Sequence, residues 1–108
     1  MALSHAASGQ AIDLLPRAGD PDSARTVALF KSRDLEVMRL VLPAGKALPP
    51  HKVACEITIQ CISGALAVNT ADGRHELKAG QLLYLDREAV HDLQAIEDVV
   101  ALVTVVLA

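Results

Sequence analysis

Residues 45–64, GKALPPHKVACEITIQCISG, combine a turn, a histidine and an apolar run in one short stretch. The glycine at its start leads through two prolines to His51, a largely β-branched run follows at 57–62, and Ser63 and Gly64 end it. β-Branched residues favour strands, and glycine and proline favour the turns that bound them. The stretch therefore predicts a strand that ends in a tight turn, with a histidine placed just before the strand.

The rest of the chain alternates in the same way between short apolar runs and turns. Asp72 and Gly73 lie between two such runs, which is a strong hairpin signal. The last run, 99–107, is almost wholly aliphatic and β-branched, as is typical of a strand buried on both faces. The further strand-like runs are 11–15, 26–31, 35–42, 65–69, 74–78 and 81–85. With no amphipathic helix pattern beside them, these runs predict an all-β sandwich or barrel.

The length predicts a single domain over residues 1–108, because one core usually serves about 100 to 200 residues. Within it, residues 1–10 are rich in small residues and lack periodicity, so we expect them to be loosely ordered. The run at 11–15 is ended by Pro16, a pattern that favours an edge strand.

Composition argues against several classes of partner. The net charge is -3, and the chain has one Phe, one Tyr and no Trp, so it lacks the basic patch and the aromatic platform of a nucleic-acid binder. No apolar stretch approaches the about 20 residues that a membrane span needs, and the N-terminus does not resemble a signal peptide. Cys55 and Cys61 are too far apart along one strand to form a disulfide. We expect a soluble cytoplasmic protein with reduced thiols that binds neither nucleic acid nor membrane.

A second stretch, residues 80–91, begins with a glycine and ends with His91. Together with Gly45, His51 and Gly64, it resembles the two sequence motifs of the cupin family, and the resemblance covers about residues 35–107. It implies a small RmlC-like cupin, whose fold is a double-stranded β-helix, the jelly-roll barrel. It also implies a homodimer, which would cover open sheet edges.

The same resemblance implies a metal site, for which His51 and His91 occupy ligand positions. Val53 stands where cupins have another histidine, and Ile57 stands where they have a Glu or Gln. Catalytic zinc sites use three protein ligands, and non-haem iron sites use two histidines and one carboxylate. The two histidines alone therefore fall short of a full ligand set.

A third ligand would come from Cys61 or from Glu56. Glu56 lies one residue before the usual carboxylate position, and such a shift along a strand turns a side chain to the other face. The implied cofactor is accordingly none, or a weakly held divalent metal, with Zn, Fe, Mn and Ni not distinguished. The inward face of the barrel is expected to line a cavity with Val53, Ile57, Ile59, Cys61 and Tyr84.

These observations favour a small-molecule-binding cupin whose metal site is degenerate or absent. Two alternatives stay open: a metal-dependent cupin enzyme of the isomerase or dioxygenase type, and a non-catalytic regulatory or structural dimer. The sequence assigns no catalytic residue, and it leaves open whether the chain is an enzyme.

Overall fold

The chain folds into two antiparallel β-sheets that face each other. The structure, a computed structural model, describes residues 5–107. The strands are β1 (Val27–Lys31), β2 (Leu35–Leu42), β3 (Ala47–His51), β4 (Ile57–Ser63), β5 (Ala65–Thr70), β6 (Gly73–Lys78), β7 (Leu82–Leu85), β8 (His91–Ala95) and β9 (Val99–Val106), and one 3₁₀ turn spans Pro21–Ala24. One sheet has the order β1-β2-β9-β4-β7 and the other β3-β8-β5-β6. The prediction of an all-β jelly-roll fold is confirmed.

The aliphatic run at the C-terminus becomes the centre of the larger sheet. β9 pairs with β2 over its whole length and with β4 on its other side. Its side chains at Val99, Ala101, Val103 and Val105 are all 9% exposed or less. On its other face Val100 is 5% exposed, whereas Leu102 and Thr104 are half-buried, so the second face of this strand is covered only in part.

The side chains between the two sheets fill the interior as a hydrophobic core. β2, β4, β5, β8 and β9 supply alternate residues to it, as the period of two in a strand requires, and β6 and β7 supply one residue each. The members of this core are Leu40, Leu42, Ile57, Ile59, Cys61, Leu66, Val68, Leu77, Leu85, Leu93, Ala95, Val99, Ala101, Val103 and Val105.

β3 contains the two prolines that made residues 45–50 read as a turn in the sequence. It lies at the edge of the smaller sheet and pairs only with β8, with a register shift between Leu48 and His51. Proline lacks a backbone N–H, and an edge strand with an irregular register tolerates this loss. Pro49 and Pro50 therefore lie inside a strand that the sequence alone did not predict.

The prediction of a strand at residues 11–15 was wrong, because this segment has no regular secondary structure. The segment before β1 instead crosses the outer face of the larger sheet and is held there by hydrogen bonds to Arg39. The expectation of loose order at 1–10 falls partly on residues 1–4, outside the described range. Within residues 5–10, the backbone N–H of Ala6 donates a hydrogen bond of 2.9 Å to the Leu29 carbonyl, which attaches this part of the segment to β1. Among residues 5–107, no helix has the length and apolarity to cross a membrane.

Candidate functional site

His51 and His91 lie side by side at one end of the smaller sheet. His51 ends β3 and His91 begins β8, and the two residues are directly paired in the antiparallel register. Directly opposite residues put their side chains on the same face. The ring centroids are accordingly 4.3 Å apart, with planes inclined by 56°. His91 is 3% exposed, whereas His51 is exposed to solvent.

Both imidazoles are oriented by a backbone carbonyl two residues earlier in the chain. Nδ1 of His91 lies 3.0 Å from the Ala89 carbonyl, and Nδ1 of His51 lies 3.2 Å from the Pro49 carbonyl. A carbonyl oxygen only accepts, so each Nδ1 must carry the proton and donate it. The neutral ring then has its lone pair on Nε2, which is free to accept a hydrogen bond or to bind a cation.

Glu56 does not join the histidine pair. Its Oε2 accepts a hydrogen bond of 2.6 Å from the hydroxyl of Tyr84, and Tyr84 lies opposite Thr58 in the pairing of β7 with β4. Thr58 alternates with the inward Ile57, so the Glu56–Tyr84 pair lies on the outer face of the larger sheet. The hydrogen bond to Glu56 is the main cause that raises the pKa of Tyr84 to about 12.

Cys61 lies at the far end of β4 from the histidines. It lies four positions after Ile57, which is about 13 Å along a strand. Its side chain is fully buried, and its Sγ lies near the carbonyls of Ser63 and Gly64 at 3.6 and 3.5 Å. Burial, and to a smaller extent the carboxylate of Glu97, raises the pKa of the Cys61 thiol. A protonated thiol at this depth is a poor metal ligand.

The ligand set of a divalent metal is therefore incomplete around the histidine pair. Within residues 5–107, no group of three or more His, Cys, Asp or Glu side chains is arranged to hold a metal ion. Two imidazoles remain, one fewer than the protein ligands of a catalytic zinc or facial-triad iron site. The side chains present do not fit a resident metal of either kind.

The cavity predicted inside the barrel also differs from the structure. Ile57, Ile59 and Cys61 are packed core residues, 4% exposed or less, and Val53 packs against them. Tyr84 is 55% exposed and points to the outer face. Because the interior at this level is filled with side chains, these residues do not enclose a space for a ligand.

Open space is found instead beside His91. A cavity of about 310 Å³ is lined by Pro50, Asn69, Thr70, Ala71, Val90, His91 and Asp92. The side-chain amide of Asn69 donates to the Asp92 carboxylate at 2.6 Å, from neighbouring positions of β5 and β8. The sequence pattern does not select these two residues, because a polar residue in a strand usually faces water. The pairing of β5 with β8 brings these two side chains together, and because side chains alternate along β8 they lie on the opposite face of the smaller sheet from the imidazole of His91.

Comparisons with solved structures show what the fold is similar to. A cupin superfamily protein from Desulfitobacterium hafniense superimposes with a TM-score of 0.74 at 12% identity, over 92% of this chain and 100% of that one. An RmlC-like cupin family protein with a double-stranded β-helix fold from Methanocaldococcus jannaschii gives 0.72 at 19% identity, over 91% and 93%. A conserved protein of unknown function from Streptococcus pyogenes gives 0.74 at 18% identity, over 98% and 96%.

No protein-family model matches the sequence, and no curated protein matches it. The similarity to solved structures, with identities of 12 to 19% in these three cases, concerns the fold. The chain has the fold of a small RmlC-like cupin domain, as its two motifs predicted.

Proposed function

We propose that this cupin-fold domain binds a small hydroxyl-bearing molecule through His51 and His91, without a resident metal. The observation that supports the proposal is the matched orientation of the two rings. Each Nδ1 donates to the backbone carbonyl two residues earlier, so two Nε2 lone pairs are presented from rings 4.3 Å apart. Two adjacent neutral acceptors match two hydroxyl donors on one ligand.

Polar side chains near the pair are engaged in hydrogen bonds within the protein. The polar side chains that line the cavity beside His91 are already bonded within the protein: Asn69 to Asp92 at 2.6 Å, and Thr70 to His75 at 3.1 Å. The described residues offer no hydrogen-bond partner to either Nε2. At the histidines themselves the Nε2 lone pairs have capacity for a new hydrogen bond, and the Asp92 carboxylate keeps a further acceptor oxygen at the cavity.

The positions of Glu56 and Cys61 weigh against the metal-dependent enzyme. Both candidates for a third ligand are engaged elsewhere, one on the outer face and one at the far end of β4. Isomerase or dioxygenase chemistry through a protein-bound metal would need a ligand that neither of them supplies at the histidines.

The proposal includes a homodimer in the cytoplasm. What supports pairing is the edge strand β7, on which Leu82 and Tyr84 are 60% and 55% exposed. An open edge with apolar side chains gains from being covered by a second chain. Light scattering after gel filtration would measure the mass directly, and a monomer at all concentrations would overturn this part.

The binding proposal is tested by nuclear magnetic resonance of the imidazole nitrogens. Glycerol, D-xylose and D-glucose are titrated into labelled protein, and a saturable shift of Nε2 in His51 and His91 is expected with at least one of them. His51→Ala should abolish the response, whereas His5→Ala, which removes an exposed histidine elsewhere, should leave it unchanged.

The metal content of the purified protein tests the alternative of a metal-dependent enzyme. Protein purified without added metal is expected to contain far less than one Zn, Fe, Mn or Ni per chain. A content near one per chain that His51→Ala removes would contradict the proposal and restore the metal-dependent enzyme. The absence of a saturable shift with every probe, in a stable dimer, would favour the regulatory or structural dimer.

A further inference from the structure

Arg39 is buried on the outer face of β2, beneath the segment that precedes β1. Its side chain is 5% exposed, and it alternates with Leu40, which faces the core. Its guanidinium donates three hydrogen bonds to backbone carbonyls of that segment, at 3.4 Å to Asp13, 2.8 Å to Asp22 and 3.0 Å to Arg25. One side chain thus holds three separate points of the same loop.

This buried cation has no carboxylate partner among residues 5–107. The three carboxylates of the loop are taken by other arginines: Arg17 binds Asp13 at 2.9 Å and Asp20 at 2.8 Å, and Arg25 binds Asp22 at 3.4 Å. Buried charges in proteins are normally paired, because removing a charge from water without a counter-charge is costly. Carbonyl dipoles compensate the charge only in part.

The same guanidinium lines a cavity of about 250 Å³ between the loop and β1, and the ion-paired Asp13, Asp20 and Asp22 line it as well. One wall of the cavity is held by hydrogen bonds of Ser23, a residue that is 6% exposed. The Ser23 hydroxyl accepts a hydrogen bond of 2.7 Å from the Arg17 N–H and donates one of 2.6 Å to the Asp20 carbonyl. The space is smaller than the about 300 to 1,000 Å³ of drug-sized ligands, so it suits a molecule of a few heavy atoms.

We propose that this cavity is a second binding site, which takes a small organic carboxylate as the counter-ion of Arg39. A guanidinium has five N–H donors in one plane, and three are used by the loop carbonyls. The remaining two lie on Nη1 and Nη2, the pair that receives both oxygens of a carboxylate. The ligand therefore completes the charge and the hydrogen bonding of a side chain that the protein itself satisfies only in part.

The test uses the full chain, labelled with ¹⁵N, and follows the Nε–H signal of Arg39 together with the amides of Ser23 and Val27. Sodium acetate and sodium succinate are titrated to about 10 mM, where a site with a Kd of about 1 mM is mostly filled. Saturable shifts of these signals are expected with at least one of the two. Sodium chloride at equal ionic strength should produce none, and sodium phosphate should bind more weakly.

Two variants with matched controls separate binding from folding. Arg39→Lys should weaken binding by about tenfold or more, because it loses the fork that holds both oxygens; Arg74→Lys, on β6, should not. Val27 lies opposite Arg39 on the same face and lines the cavity, so Val27→Phe should fill it and abolish binding with Arg39 in place. Val37→Phe, on the same face but outside the cavity lining, should retain binding.

The absence of a saturable shift with either carboxylate in the wild-type chain would overturn the proposal. Equal shifts with chloride, or tighter binding of phosphate, would also overturn it. So would undiminished binding in Val27→Phe. The site lies on the larger sheet and away from the core, whereas the histidine pair belongs to the smaller sheet. Failure at one site therefore leaves the other proposal standing.

Discussion

His51 and His91 are paired across β3 and β8 with their ring centroids 4.3 Å apart, yet His51 is exposed to solvent and His91 is buried, with 3% of its surface exposed. The buried ring is fixed by its hydrogen bond to Ala89, and the exposed ring lies on an edge strand that contains two prolines. The pair thus combines a rigid partner with one that is open to solvent. The two histidines should therefore differ in what they contribute to folding.

We expect His91→Ala to destabilise the protein by about 1 to 3 kcal/mol, because it leaves the Ala89 carbonyl without its donor and opens space in a packed region. His51→Ala should change the free energy of unfolding by no more than about 0.5 kcal/mol, as is usual for exposed positions. Urea unfolding followed by circular dichroism measures both. Equal losses in the two variants would contradict the division between a fixed and an open ring.

A chelator should leave the stability of the purified protein unchanged. A metal bound at a concentration of 100 times its Kd adds about 2.7 kcal/mol to folding, so its removal would lower the melting temperature clearly. Two imidazoles without a third ligand do not provide such a site. The melting temperature is measured with and without EDTA after purification. A drop that zinc reverses in the wild-type chain, but not in His51→Ala, would show a tightly held metal.

Tyr84 should titrate with a pKa of about 12, against an ordinary value of 10.0. The chain has one Tyr and no Trp, so the ultraviolet absorbance of tyrosinate reports this residue alone. The pKa is raised because the neutral hydroxyl donates to the Glu56 carboxylate. The stabilisation from this bond is complete below pH 10 and is lost as the pH rises through about 12.

The Glu56→Gln variant tests the cause, since it removes the negative acceptor. The midpoint of the tyrosinate titration should fall toward 10.0. Glu36→Gln, which removes a carboxylate from β2, serves as the control and should not move it. A midpoint that is unchanged in Glu56→Gln would place the cause of the shift elsewhere.

The strands that the sequence predicted well are those whose pattern is local. The β-branched run of β4 and the aliphatic run of β9 were recognised, because branched side chains favour extended backbone wherever they lie. β3 was missed because its prolines are acceptable only at a sheet edge, and which strand is at the edge depends on the order of the whole sheet. A sequence pattern carries no information about that order.

The candidate site was predicted unevenly for a similar reason. The resemblance to cupins selected His51 and His91, which the structure brings together. Tyr84 was expected to line the cavity and is 55% exposed on the outer face; because β7 is apolar on both faces, alternation alone does not show which of its faces is inward. The burial of Arg39 was not predicted, since it requires the segment before β1 to cover the outer face of the sheet.

The two cysteines should differ sharply toward thiol reagents. Cys61 is fully buried and its pKa is raised by burial, so it stays protonated and unreactive in the native protein, whereas Cys55 is half-buried at the edge of the core. We expect one thiol to react with Ellman's reagent in the native state and both to react after unfolding. Cys55→Ser should abolish the native reaction, and Cys61→Ser should keep it. A native reaction that survives in Cys55→Ser would contradict the assignment.

Gly64 should be the glycine that the fold tolerates least when it is replaced. It has a φ of +83° in the turn between β4 and β5, and an added Cβ would collide with the backbone carbonyl of Asp98. Gly80 has a similar φ of +90°, but a Cβ there would meet nothing within 4 Å. Gly80→Ala therefore measures the strain of the backbone conformation alone, about 1 to 2 kcal/mol. Gly64→Ala adds a clash with backbone that has no side chain to move aside, so we expect a loss of about 4 kcal/mol or more. The difference between the two urea midpoints reports the clash, and equal midpoints would show that the chain before β9 can shift to admit a methyl group.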